Sequence, residues 1–177
     1  LYSALASVNM AIEAAGSLED QEGAAPYVAE LYAMRGLFHF HLATFFAPIP
    51  TSGNTSNTMG LVLSNQVFPI DYIGARATLD ETYQQIVDDF TTAIESGQNM
   101  TANTGHMNYW AALALRARAY LYWGKYDEAL ADCRKIISDS PYTLYEISDY
   151  EGVWSQEGTS EMIMEYLQTD TYNAQRY

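Results

Sequence analysis

The stretch Leu113–Pro141, LALRARAYLYWGKYDEALADCRKIISDSP, decides the fold. Two helical segments meet in it at Gly124. The first, Tyr109 to Trp123, is apolar nearly all round, with Arg116 and Arg118 as its interior polar exceptions. A helix of that composition is expected to lie buried between neighbours. Its alanines at 111, 112, 114, 117 and 119 let other helices approach closely. Asn108 can cap its start, and Gly124 supplies the left-handed exit that tight helix pairs favour. The partner helix runs from Tyr126 to Ser138, and Pro141 closes it.

The spacing of this pair follows the tetratricopeptide pattern: a small residue, an aromatic three later, Ala nine after that, then a bulky position and a terminal Pro. Ala117, Tyr120, Ala129, Cys133 and Pro141 fill those places. Cys133 therefore reads as a core residue. One antiparallel pair cannot bury both of its faces, so the earlier helices must be its companions in a small helical solenoid. The fold class that follows is all-α, a tetratricopeptide-like scaffold with long irregular loops.

Upstream, Ser3 to Ala15 is Ala-rich, with Leu5, Val8 and Ile12 on one stripe and Gly16 as a stop. An acidic turn, SLEDQEGAA, precedes Pro26, which is placed as the first residue of a helix of about 20 residues. Pro48 and Pro50 end that helix. Residues 51–77 lack helical period, and TSGNTSNTMG at their start is a polar loop. Loops of such length in a compact domain are usually functional or mobile. Thr78–Glu81, TLDE, fits a capping box. Tyr83, Ile86, Val87, Phe90 and Ile94 then form the apolar face of a helix ending near Gly97. Beyond Pro141 the chain is irregular, and EMIMEYL fits strand or helix by period alone.

Composition narrows the function. Of 177 residues, 49% are apolar, enough for a sizeable core. Eight Lys+Arg against 22 Asp+Glu leave a charge of −14, which argues against nucleic acid and anionic membrane surfaces. The single cysteine permits no internal disulfide. No apolar run reaches the ~18 residues of a membrane span. The chain starts at Leu1, directly in a helical pattern, and reads as one helical domain excised from a longer protein.

Catalytic and metal chemistry find little support. His39 and His41 project about 200° apart on their helix and cannot share one metal. Asp88–Asp89 and Asp127–Glu128 read as acidic helix surfaces, the latter suited to a helix N-terminus. The polar loop lacks the Lys of a phosphate loop. Arg35, in an apolar helix, is expected to pair with a helix carboxylate or to cap backbone carbonyls. The chain reads as a non-enzyme without cofactor.

Four blocks stand in a telling order: AELYAMRGLFHFHLATFFAPIP, RATLDETYQQIVDDFTTAIE, AALALRARAYLYWGKYDEALADCRKII and SEMIMEYL. Together, over about residues 26–167, they resemble the SusD/RagB family of Bacteroidetes outer-membrane nutrient-binding lipoproteins. The last block resembles that family's late Glu-x-Ile-x-Glu strand. The resemblance implies a helical scaffold at the cell surface, in the outer membrane, lipid-anchored through a part absent from this chain. Such a protein captures a glycan, or less often a peptide, and delivers it to a SusC-like TonB-dependent transporter. A generic tetratricopeptide-like scaffold docking a peptide or partner helix is the alternative.

Sugar recognition needs flat aromatic faces with amides or carboxylates for the hydroxyls. Outside clear helical core patterns lie Phe68, Tyr72, Tyr142, Tyr145, Tyr150, Trp154 and Tyr172. Phe68 and Tyr72, beside Asn65, Gln66 and Asp71 in the long inter-helix segment, are the preferred ligand-binding candidates, followed by Trp154.

Overall fold

The computed structural model describes residues 1–96 and 105–166. Among them are five α-helices: α1 Tyr2–Ala15, α2 Gln21–Phe46, α3 Leu79–Ser96, α4 Tyr109–Trp123 and α5 Tyr126–Asp139. Two short 3-10 segments, Pro50–Ser52 and Ile147–Trp154, complete the regular structure. No strand occurs among the described residues; Met59 and Thr78 form an isolated antiparallel bridge. The fold is all-α, as expected. The expected helix stop near Gly97, and Tyr172, lie outside the described residues.

Each helix packs chiefly on its sequence neighbour, α1 on α2, α2 on α3, α3 on α4 and α4 on α5. One core runs through the stack, with Leu5, Leu37, Phe40, Tyr83, Phe90 and Leu113 among its buried members. Polar groups tie the layers together. Glu30 of α2 accepts the Met107 N–H at 2.9 Å. The Trp123 indole N–H donates to Asp80 at 2.9 Å. Arg116 donates to both carboxylate oxygens of Asp132, at 2.8 and 2.7 Å, and so clasps α4 to α5.

The caps sit where local chemistry puts them. Glu81 N–H reaches the Thr78 hydroxyl at 3.2 Å, and the Glu81 carboxylate accepts the Thr78 N–H at 2.7 Å, completing the capping box of α3. Asn108 Oδ1 accepts the Ala111 N–H at 2.9 Å. Gly124 adopts φ 83°, a left-handed conformation that costs other residues strain, and turns α4 into α5.

Three expectations need correction. Pro26 is not the first residue of α2: Asp20 caps the helix by accepting the Gly23 N–H at 2.8 Å, and the helix starts at Gln21. Pro26 is tolerated inside because the carbonyl it leaves unpaired belongs to exposed Glu22, where water can reach it. Nor is α4 covered all round, since Leu121 and Tyr122 are exposed; α3 and α5 flank it and leave a side open. Cys133, finally, is exposed rather than core. On α5 only Ala129 and Asp132 are buried, against α4, and no described element covers its opposite face. The segment Glu161–Tyr166 is neither strand nor helix. Asn108 holds it by donating to the Ile163 carbonyl at 2.7 Å.

Candidate ligand-binding site

Residues 60–77 leave the helical stack and return to it through a closed neck. Gly60 N–H donates to the Ala77 carbonyl and Ala77 N–H to the Leu61 carbonyl, each at 2.7 Å. Arg76 straps the neck by donating to the Gly60 carbonyl at 2.7 Å and the Phe46 carbonyl at 3.1 Å. Gly60 presses against the start of α3. A Cβ there would collide with the Thr82 hydroxyl and stand 2.6 Å from the Thr78 carbonyl, so the close approach needs glycine.

Beyond the neck, side chains from three helices grip the loop backbone. Asn9 of α1 donates to the Ser64 carbonyl at 2.9 Å and the Gln66 carbonyl at 3.0 Å. Its own carbonyl oxygen accepts from Arg35 of α2 at 3.1 Å. Arg35 also donates to the Asn65 carbonyl at 2.8 Å and forks onto Asp89 of α3, the shortest contact being 2.6 Å. His39 Nε2 accepts the Ser64 N–H at 3.1 Å. That bond assigns the ring proton to Nδ1, which has no hydrogen-bond partner and lies 3.8 Å from Asp89. Gln85 links the Asn65 amide, at 2.9 Å, to Asp89, at 3.1 Å. Asn9, Arg35, His39 and Asp89 are all buried, and the network they form, satisfied except at His39 Nδ1, holds the loop rigidly.

Arg35 thus does both things expected of it. Asp89 corrects its reading as an acidic helix surface: it is 1% exposed and neutralised by Arg35, while Asp88 alone faces solvent. His39 is a core residue and His41 an exposed one.

The gripped backbone carries the aromatic candidates. Tyr72 N–H closes a turn on the Pro69 carbonyl at 3.0 Å. Phe68 and Tyr72 then stack, with ring centroids 4.0 Å apart and planes 10° from parallel. Phe68 is half-buried and Tyr72 exposed. The Asn65 amide is committed to Gln85, whereas the side chains of Gln66 and Asp71 are exposed. Five of the six candidates therefore share one loop. Trp154 stands on the Ile147–Trp154 segment, 77% exposed and edge-on to Tyr150. No ring contact joins it to Phe68 or Tyr72 among the described residues. The supporting residues Asn9, Gln85 and Asp89 escaped sequence reasoning. Their one signal was the four-residue spacing of Arg35 with His39 and of Gln85 with Asp89, which places each pair on one helix face.

The helical stack with its pinned loop has known counterparts. Residues 1–121 match the SusD-like family model described as starch-binding, associating with the outer membrane. The match covers more than half of the chain, and the chain belongs to the SusD-like family. SusD-like proteins are carbohydrate-binding proteins of the outer membrane. No curated protein matches the chain by sequence. Among solved structures it is similar to a SusD superfamily protein from Bacteroides thetaiotaomicron, with 26% identity and a TM-score of 0.88 over 97% of this chain and 38% of that one. A candidate sugar-binding protein from Bacteroides vulgatus matches with 25% identity and a TM-score of 0.84, over 96% of this chain and 40% of that one. A laminarin-binding SusD-like protein shares the fold at 21% identity and a TM-score of 0.76, over 92% of this chain and 35% of that one. The chain thus spans 38% to 40% of the length of the first two.

Proposed function

We propose that this chain is a helical domain of a cell-surface glycan-binding protein that captures an oligosaccharide and hands it to a SusC-like TonB-dependent transporter. The family match over residues 1–121 carries the reading. The whole protein is held at the outer membrane by a lipid anchor, and it acts by binding, not by catalysis.

Asn65, Gln66, Phe68, Asp71 and Tyr72 form the first contact surface, with Trp154 as a further stacking face. Two features favour this. The loop is held before ligand arrives, so little ordering entropy is lost on binding. Its exposed groups combine an aromatic ring with an amide and a carboxylate, the mixture that sugar rings and hydroxyls require.

The test is a neutral-glycan array with the intact protein, repeated with Tyr72→Ala and Trp154→Ala. Wild-type protein is expected to retain at least one neutral oligosaccharide, and each variant to weaken retention by about tenfold, the loss of a stacking contact of roughly 1.4 kcal/mol. Full retention by both variants would reject this surface. Failure of the wild-type protein to retain any glycan would reject the reading itself.

A further inference from the structure

A concavity lies within the segment 143–160, which is separate from the pinned loop. Thr143 N–H donates to the Ser160 carbonyl at 2.9 Å, and the Ser160 hydroxyl donates back to the Thr143 carbonyl at 3.3 Å. Between these ends the chain bows out through the Ile147–Trp154 segment. The concavity is open to solvent and holds about 730 Å³, within the ~300–1,000 Å³ range of small-ligand sites.

Its wall is rich in hydrogen-bonding groups, with Tyr145, Glu146, Ser148, Gln156, Thr159 and Ser160 among the lining residues. Among the described residues no Lys or Arg lines it. Among the described residues, the side chains of Glu146, Ser148 and Gln156 make no hydrogen bond. Thr159 is the telling member. It is only 9% exposed, and its hydroxyl has no partner. A buried hydroxyl without a partner costs stability, and a polar group seated in the concavity would relieve that cost.

We propose that this cavity is a second saccharide subsite, which takes one neutral, polyhydroxylated ring of the glycan. Neutrality follows from the wall: without a cation it offers nothing to an anionic sugar, and Glu146 would repel one. The remaining groups match vicinal hydroxyls, with a carboxylate to accept, an amide to do both, and hydroxyls to complete the set. Trp154 closes the same 3-10 segment and is exposed beside it. The inference rests on the glycan-capture reading.

Thr159→Val and Gln156→Ala in the intact protein test it, by calorimetric titration with the neutral oligosaccharide best retained on the array and by thermal melting. Thr159→Val keeps the shape and removes only the unpartnered hydroxyl. Its melting temperature is expected to hold or rise while binding weakens by about tenfold, one lost hydrogen bond of ordinary strength. Gln156→Ala, on an exposed residue, is expected to weaken binding by a similar factor without a change in melting. Wild-type affinity in both variants overturns the subsite and leaves glycan capture standing, as the Tyr72→Ala response would show. A lower melting temperature together with weaker binding in Thr159→Val, and none in Gln156→Ala, assigns Thr159 to packing and also overturns it. If the wild-type protein retains no neutral glycan, the reading beneath it fails and the subsite with it.

Discussion

Arg35 is the residue on which the most depends. Its guanidinium satisfies Asp89, Asn9 and the Asn65 carbonyl, three groups on α3, α1 and the loop. Replacing one partner of a buried ion pair strands the other, at a cost of about 3–5 kcal/mol. For a domain of this size Arg35→Leu is therefore expected to lower the melting temperature by about 10 °C, as followed by circular dichroism. Arg35→Leu combined with Asp89→Leu should cost less than Arg35→Leu alone, because no charge is then left stranded. An unchanged unfolding curve for the single variant would contradict the role given to Arg35. The sequence showed that Arg35 needed a partner, because a lone guanidinium in an apolar helix must find one. It did not show which. Asp89 lies 54 positions away, and no local pattern marks one of two adjacent aspartates as the buried member.

At the scale of elements, local chemistry was the legible part. The cap of α3 involves residues three apart, as does that of α4, so both could be read directly. The start of α2 was misread because Pro26 is allowed at a first helical position, while Asp20 offered a better cap six residues earlier. Cys133 was misread because the repeat pattern assigns burial on the assumption of a following helix. On α5, Tyr126, Leu130, Cys133 and Ile137 instead form an exposed stripe at spacings of four, three and four. The α3 cap yields a pH test. The Thr78 backbone N–H, and then its hydroxyl, hold the Glu81 carboxyl below its ordinary value. A depressed carboxyl stabilises the fold above its unfolded pKa and loses that contribution as pH falls through the folded value. Glu81→Gln keeps an acceptor but cannot titrate. Wild type should melt above this variant near neutral pH, and the gap should narrow as pH falls below the ordinary carboxylate range. A gap independent of pH would mean that the carboxylate contributes nothing to the cap.

Across the whole molecule, charge separates binding by contact from binding by field. The net charge is −14, with eight Lys and Arg in the sequence. Several of these cations are already engaged: Arg35 and Arg116 hold buried carboxylates, Arg76 holds backbone carbonyls, and Lys135 pairs with Asp139. The remaining cations are far outnumbered by the 22 Asp and Glu, so the net field does not favour an anionic polymer. Affinity for a neutral oligosaccharide must then come from stacking and hydrogen bonds, which short-range contact supplies and salt does not screen. Between about 0.05 M and 1 M NaCl the Debye length shrinks severalfold, yet the dissociation constant for a neutral glycan is expected to move by less than about twofold. A sulfated or uronic-acid polymer should not be retained even at low salt, where its repulsion from the acidic surface is strongest. Isothermal titration across that salt range decides the matter. A roughly tenfold weakening with salt, or retention of the anionic polymer at low salt, would mean that a cationic surface takes part in capture. Recognition would then have to be sought away from Phe68 and Tyr72.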